Sequence, residues 1–447
     1  MPKKYSIEVI PTPPRYPPVG KFEIERGENC INCGRCAMVC LYDVHKRQEE
    51  DPRCMAEPVN YRCRGCFRCI QECPRDALTI RESREYPELG DSYWTPEIIS
   101  KNWYQAETGK IPVSGAGYRG PFSGEGFDSM WTDMSEIVRP TRDGIHGREY
   151  ISTVVEIGRK LPAIKFDAHG EIASSVPPAL SIPIPIIFNA LPFGRYENVY
   201  EAMARAASYL GTFMIVEPDE WFKSEGNRSH TSHLIPHISH LTPHSFEADL
   251  IKTCKMVEFE YEEDILGMVN EAKKLSPGTI VSVKVPFGDN VEKIAEELTY
   301  AGVEVIHLYA DINGQTFRKS LIKNASQQTL RKFDQNASQQ TLRKSLFVKD
   351  MTLNVHRHLV DLKIRDEVTL IVSGGIAMAE HVAKAIICGA DLTAVDLPLL
   401  LALECRYCKN CLQTFKKSLI KNASHQTLRK FDQNASQPCP VELKEVE

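Results

Sequence analysis

Eight cysteines occupy two copies of one spacing near the start of this chain of 447 residues: Cys30, Cys33, Cys36 and Cys40, then Cys63, Cys66, Cys69 and Cys73, the last followed by Pro74. Each copy reads C-x2-C-x2-C-x3-C. Three close thiolates can grip one cubane iron–sulfur cluster while the fourth crosses to the other, so the pattern predicts two [4Fe–4S] clusters and one-electron transfer. A disulfide framework would require an oxidising compartment, and the opening residues MPKKYSIEVIPTPP contain no apolar core of a secretory signal, which favours the cytoplasm. A zinc ribbon needs only two CxxC pairs and leaves the other cysteines of each block unexplained. Cys405, Cys408 and Cys411, with Cys439 before Pro440, form a further set suited to a third cluster, [3Fe–4S] or [4Fe–4S]. Cys54, Cys254 and Cys388 stand alone.

Those thiolates need a scaffold, and the rest of the chain is large enough for several. Hydrophobic residues make up 42% and charged residues 25%, with a net charge of −5, a globular balance that gives no reason to expect nucleic acid. No apolar run approaches the ~20 residues of a membrane span. The patterning divides the chain into a Pro-rich arm (1–20), a ferredoxin-like α+β domain with two clusters (21–85), an irregular connecting segment packed on something larger (86–160) and an α/β domain (161–447). Eight short apolar runs recur in that last domain: Ile184–Phe188, Thr212–Val216, His233–Ile238, Met256–Glu260, Thr279–Val285, Val303–Tyr309, Val368–Ser373 and Asp391–Val395. They alternate with amphipathic helices such as that over 289–302, with Asp289 and Glu292 as its capping box. Continuously apolar strands alternating with helices imply βαβ units covered on both faces, and eight of them imply a closed (β/α)8 barrel of the TIM type; a doubly wound open sheet shares the local pattern.

In such a barrel the chemistry sits where the strands end. There the sequence places Ser282 and Lys284, then His307, Tyr309, Asp311, Asn313 and Gly314, and finally Ser373, Gly374 and Gly375; Gly389, Ala390 and Asp391 precede the eighth strand. A Gly-Gly turn opening onto a helix lets backbone N–H groups approach a phosphate. A strand lysine and iron–sulfur clusters on the same chain make FMN the economical cofactor, since a flavin accepts two electrons and exchanges them singly.

Several segments in order, among them KNWYQAETGKIPVSG, PAIKFDAHGEIASSVPP, TIVSVKVPFG, VTLIVSGGIAMAEHVAKAIICGADL and ALECRYCKNCL with CPV, resemble the FMN-binding synthase domain of glutamate synthase, in the archaeal-type form that carries an amino-terminal two-cluster ferredoxin module. The resemblance implies reductive amination of 2-oxoglutarate with ammonia, through 2-iminoglutarate, to L-glutamate. It implies that Lys284 lies near flavin and keto acid, that Gly374, Gly375, Gly389 and Ala390 cradle the FMN phosphate with Ser282, Gly314 and Ser373 close by, and that Asn189, Ala190 and Gly194 border the flavin. Asp311 and a glutamate after the second strand, Glu217 or Glu220, are the other catalytic candidates. Implied partners are separate glutaminase and glycine-rich subunits, with reduced ferredoxin or an NADPH-oxidising subunit as electron source. A related imine reaction, such as N-methylglutamate formation, or a catalytically impaired electron-transfer subunit is the alternative.

Two features stand apart from this pattern. Thr316–Gln339 and Thr414–Gln437 are near-identical copies of polar, basic sequence, differing only at Arg318/Lys416 and Gln327/His425. Such sequence cannot bury a core by stacking, so the copies read as insertions, near 319–344 and 413–437, that leave the barrel at its surface. His230, His233, His237, His240 and His244 invite a zinc reading, but Pro236 and Pro243 interrupt any helix, and the expectation is a polar lining of the barrel mouth.

Overall fold

The alternation of apolar strands and amphipathic helices closes on itself. In the computed structural model, which describes residues 19–109, 113–114, 117–118, 124–130, 153–160, 166–171, 177–193, 197–217, 232–238, 246–262, 264–286, 288, 290–315 and 346–407, eight parallel strands form a closed barrel. Two compact units emerge, one from described residues within Gly120–Leu399 and one from those within Ile7–Arg119 and Leu400–Lys444.

In the second unit, β1 (Phe22–Arg26) and β2 (Leu78–Glu82) pair antiparallel, with Ile24 opposite Ile80. Two short helices, α1 (Arg35–Val39) and α2 (Arg68–Gln71), follow the first two cysteines of their blocks and carry the third, Cys36 and Cys69, to the core of Ile24, Val44, Cys69 and Leu78. Both helices start after a residue in the left-handed region, Gly34 at φ 77° and Phe67 at φ 57°, so the sequence pseudo-repeat is also a conformational one. Helix α3 (Pro96–Thr108) begins with Thr95 capping the Ile98 N–H and ends at Gly109 in the left-handed region. Its Trp103 indole donates to the Cys405 carbonyl at 3.2 Å, and the ring of Trp94 meets Tyr407 edge-on, so residues 405–407 fold with the cysteine-rich unit. A short antiparallel pair, β3 (Val113–Ser114) and β4 (Gly117–Tyr118), follows.

The barrel unit opens with the antiparallel pair β5 (Val155–Gly158) and β6 (Ala179–Ile182). The barrel strands follow as β7 (Ile186–Phe188), β8 (Met214–Val216), β9 (Leu234–Ile238), β10 (Met256–Glu260), β11 (Ile280–Pro286), β12 (Val305–Tyr309), β13 (Thr369–Ser373) and β14 (Leu392–Val395), ordered around the ring as in the chain. All eight expected strands are present, trimmed by a residue or two at some ends. The helix expected over 289–302 runs Val291–Tyr300 and buries Val291, Ala295 and Leu298; Asn290, at φ 73°, stands at its start without a side-chain cap, and Asp289 of the expected capping box lies outside the described residues.

Period-two alternation decides what the barrel holds inside. One layer is apolar: Ile187, Ile215, Ile235, Met256, Ile280, Val305, Ile371 and Leu392 form a cluster with Ile157 and Ile182 of the β5–β6 pair. That pair seals the end where the strands begin, since Thr369, the first residue of β13, exchanges hydrogen bonds with both the N–H and the carbonyl of Gly158. Each fully buried aliphatic side chain contributes about 1.5–3 kcal/mol, so this layer anchors the fold. Two residues further along β10, β11 and β12, and at the end of β13, the interior turns polar. The seal at one end leaves chemistry to the other.

Candidate functional site

Glu258 on β10 is completely buried, and its carboxylate is the hub of the polar interior. It accepts from His237 Nδ1 on β9 at 3.0 Å and from His307 Nδ1 on β12 at 2.7 Å, with the Ser282 hydroxyl at 3.5 Å. Burial alone would raise the pKa of Glu258. The facing His307, the His237 hydrogen bond and Lys284 outweigh it and hold the carboxyl well below the usual range, so Glu258 is an anion. With Nδ1 of His307 donating to that anion, its Nε2 faces the Ser373 hydroxyl at 2.8 Å. Ser373, His307 and Glu258 therefore form a serine–imidazole–carboxylate chain that can hold a proton at the serine oxygen or pass it toward the carboxylate.

Nearer the mouth, Lys284 on β11 places its ammonium 4.8 Å from the centre of the Tyr309 ring, and Tyr309 donates to Glu260 at 2.7 Å. Burial, followed by the nearby Glu260, pushes the Tyr309 phenol upward and keeps it a donor. Asp396, just after β14, is pushed by burial up to about 6, against the pull of the Leu397 N–H and of Lys284. Lys284 thus faces Glu258, Tyr309 and Asp396 within the mouth and does not reach out along the barrel wall, the arrangement a binding lysine requires.

The remaining expected residues divide between the two ends of the barrel. Gly374 and Gly375, at φ 100° and 67°, make the turn after β13. A Cβ on Gly374 would come within 2.6 Å of the Asp311 carbonyl, and one on Gly375 within 2.8 Å of Gly314 Cα, so all three glycines keep two mouth loops in close contact. The helix Ala379–Ile387 that follows has no side-chain cap at Met378, leaving N–H donors at its start suited to a phosphate. His381 on this helix accepts from the Ala377 N–H through Nδ1 and turns Nε2 toward Asp128, which also meets Lys384; this buried brace holds the turn in shape. Asn189 follows β7, its side-chain amide oxygen accepting from the Ala190 N–H, and Glu217 follows β8, both at the mouth.

Two expectations are corrected. Gly389 and Ala390 lie between the helix Ala379–Ile387 and the start of β14, at the sealed end, where Gly389 gives clearance to His356 and its carbonyl accepts from Arg365. They cannot share a ligand with Gly374 and Gly375. The Asp311 carboxylate accepts from the N–H groups of Asn313 and Gln315, which assigns it to shaping its own turn. Gly194, Glu220, Cys408, Cys411, Cys439, His230, His240 and His244 lie outside the described residues. Sequence reasoning missed Glu258 and Asp396 as members of the site, and it placed His237 at the barrel mouth without a partner. Their signal was a charged or imidazole side chain interrupting an otherwise apolar strand, or standing directly at its end.

The two cysteine blocks interleave. Cys30, Cys33 and Cys36 line one pocket together with Cys73, and Cys63, Cys66 and Cys69 line the other together with Cys40. This is the crossing that the spacing demands. Backbone N–H groups of Asn32, Gly65 and Ala77 point at the sulfurs of Cys30, Cys63 and Cys73 at 3.3–3.5 Å, donors suited to thiolates. Burial pushes the thiols of Cys36, Cys63 and Cys69 upward, Cys69 to about 11, a penalty that iron binding removes by replacing the proton. Arg26 leaves Nε and Nη2 buried without a partner among the described residues, an orphaned cation that an anionic cluster would satisfy.

A family model described as the conserved region in glutamate synthase matches residues 337–428. A protein of Dehalococcoides mccartyi named archaeal-type glutamate synthase [NADPH] is 25% identical over 429 residues, covering 88% of this chain and 82% of its own. The archaeal glutamate synthase [NADPH] of Archaeoglobus fulgidus is 24% identical, covering 88% and 81%, and that of Methanocaldococcus jannaschii 22%, covering 97% and 92%. Among solved structures, a mutant of FabK from Thermotoga maritima aligns over 49% of this chain and 63% of its own at 17% identity with a TM-score of 0.33. Similarity spread over nearly nine-tenths of the chain, together with the family match, makes this protein a homologue of the archaeal-type glutamate synthases.

Proposed function

We propose that this chain is the synthase component of a glutamate synthase, combining ammonia with 2-oxoglutarate to give L-glutamate at the barrel mouth. The observation that carries the reading is Lys284 facing the Glu258–His307–Ser373 chain on a polypeptide that also holds two four-cysteine pockets. Ammonia adds to the keto carbon and water leaves; the resulting 2-iminoglutarate takes up two electrons and two protons to become glutamate. When bound, FMN supplies the hydride, with Gly374, Gly375 and the start of the helix Ala379–Ile387 at its phosphate. Lys284 pairs with a substrate carboxylate and stabilises negative charge near the reacting centre. The Ser373 hydroxyl, backed by His307 and anionic Glu258, holds a proton beneath the substrate, and Asp396, at about 6, can exchange one near neutral pH.

Electrons arrive singly through [4Fe–4S] clusters on Cys30, Cys33, Cys36 and Cys73 and on Cys40, Cys63, Cys66 and Cys69, with a third cluster on Cys405, Cys408, Cys411 and Cys439. Burial of Cys405 and the Tyr407 N–H directed at its sulfur at 3.4 Å support that third site. Reduced ferredoxin or an NADPH-oxidising subunit supplies electrons, a separate glutaminase supplies ammonia, a glycine-rich subunit completes the assembly, and the reducing cytoplasm keeps the thiolates intact. No helix among the described residues is long and apolar enough to cross a membrane. The test is anaerobic reconstitution with iron, sulfide and FMN counting, then oxidation of a reduced viologen with 2-oxoglutarate and ammonia present. Glutamate formation is expected; a fully loaded protein that forms none would overturn the enzymatic reading.

A further inference from the structure

The two cysteine pockets of the cysteine-rich unit match in ligand number and spacing but differ in the charge placed against them. Arg26, the last residue of β1, lines the pocket of Cys30, Cys33, Cys36 and Cys73. Its Nη1 donates to the Met55 carbonyl at 3.0 Å, while Nε and Nη2 are buried with no partner among the described residues. A buried guanidinium left half unsatisfied is costly unless a counter-charge lies beside it. Arg35 lines the same pocket, but its guanidinium is held by Glu72 at 2.9 Å. The pocket of Cys40, Cys63, Cys66 and Cys69 has no buried cation among the described residues, although the ring nitrogens of His45 beside it are also without a partner there. Arg64 and Arg68 there are exposed, and its buried polar side chain is the imidazole of His45.

We propose that Arg26 is the potential-setting residue of the cysteine-rich unit: its free guanidinium donors face the cluster on Cys30, Cys33, Cys36 and Cys73 and make that cluster the first of the pair to be reduced. The inference rests on the reading that both pockets hold [4Fe–4S] clusters. A cubane bound by four thiolates goes from a net charge of 2− to 3− on accepting one electron from a low-potential one-electron donor, and no proton or ligand is exchanged. A fixed cation in a low-dielectric site favours the more negative form, and charged N–H donors to sulfur act in the same direction. The second pocket lacks that cation and holds its electron less tightly. The order places an electron at rest on the Arg26 side.

The test is an electron paramagnetic resonance redox titration of the full chain, reconstituted anaerobically with iron and sulfide and poised with dithionite. Iron and sulfide contents establish first whether two clusters are present, so failure of the cluster reading shows there and failure of the Arg26 inference shows in the titration. Arg26→Gln is expected to weaken reduction of the higher-potential cluster of the pair by about tenfold or more, a shift of 59 mV or more for one electron. Arg26→Lys is expected to retain much of the wild-type value because it keeps the charge, and the lower-potential step should stay in place in both. Cys66→Ser, which alters a ligand of the second cluster, provides an independent measurement with Arg26 intact and should perturb only the lower-potential step. Equal shifts of both steps in Arg26→Gln, no shift, or loss of the higher-potential step in Cys66→Ser would each overturn the inference. If Arg26→Gln takes up no iron, the Cys66→Ser titration decides it.

Discussion

Replacing Glu258 with Gln keeps the shape of the barrel interior and removes the charge at its hub. Glu258 is fully buried and accepts from two imidazoles, His237 at 3.0 Å and His307 at 2.7 Å. A glutamine offers one carbonyl oxygen and one NH2 group, so one imidazole keeps a neutral acceptor while the other meets a donor. Reducing a charge-assisted hydrogen bond to a neutral one costs about 1 kcal/mol, and leaving a buried donor unmatched costs about 1–3 kcal/mol. The sum of ~3 kcal/mol sits at the low end of the 3–5 kcal/mol observed when one member of a buried pair is removed. In a unit of this size each kcal/mol lowers the thermal midpoint by ~2–4 °C, so Glu258→Gln should unfold ~6–12 °C earlier by far-ultraviolet circular dichroism at pH 7. The pH dependence checks the cause. Because the folded state holds the Glu258 carboxyl well below its unfolded value of 4.5, its contribution is fully present above that value and is lost as pH falls below it. The variant should therefore show a shallower acid limb of stability than the parent. A midpoint change under about 2 °C together with an unchanged acid limb would refute the assignment of an anion at position 258.

Lys284→Ala should lower turnover by about a hundredfold or more if the ammonium stabilises charge that develops in the reaction; unchanged steady-state rates would return the residue to a packing role. Gly374→Ala adds a Cβ 2.6 Å from the Asp311 carbonyl at a φ of 100°, which forces the two mouth loops apart; a loss of ~1–3 kcal/mol by denaturant titration and a reduced FMN content are expected, and full flavin loading would show that the turn does not hold the phosphate. Removing Lys319–Lys344 should leave the fold and the flavin content intact, because Gln315 pairs with Phe347 and Val348 donates to the Gly314 carbonyl at 2.8 Å, so the segment departs and returns at adjoining points. A deletion variant that loses flavin or melts earlier would show that the insertion supports the barrel.

The sequence by itself determined the local elements and the ligand arithmetic. Runs such as Ile280–Pro286 and Thr369–Ser373 are apolar enough to be strands covered on both faces, and the cysteine spacing alone forces each fourth thiolate across to the other block, as the two pockets show. Both are short-range properties, set by periodicity and by the reach of a few residues. What only the tertiary structure decided is which end of the barrel each loop occupies and which side chains meet inside. Gly374-Gly375 and Gly389-Ala390 look alike as glycine turns, but one follows a strand and the other precedes one, so closure of the ring sends them to opposite ends. Glu258 and His307 are 49 positions apart and Ser373 a further 66, and nothing in their neighbourhoods marks them as partners until strand tilt brings them together. Asp311 reads as a candidate acid at a strand end, and only its two backbone donors reveal a turn-former. A buried charge takes its role from the groups that satisfy it, and those are chosen by the register of the barrel.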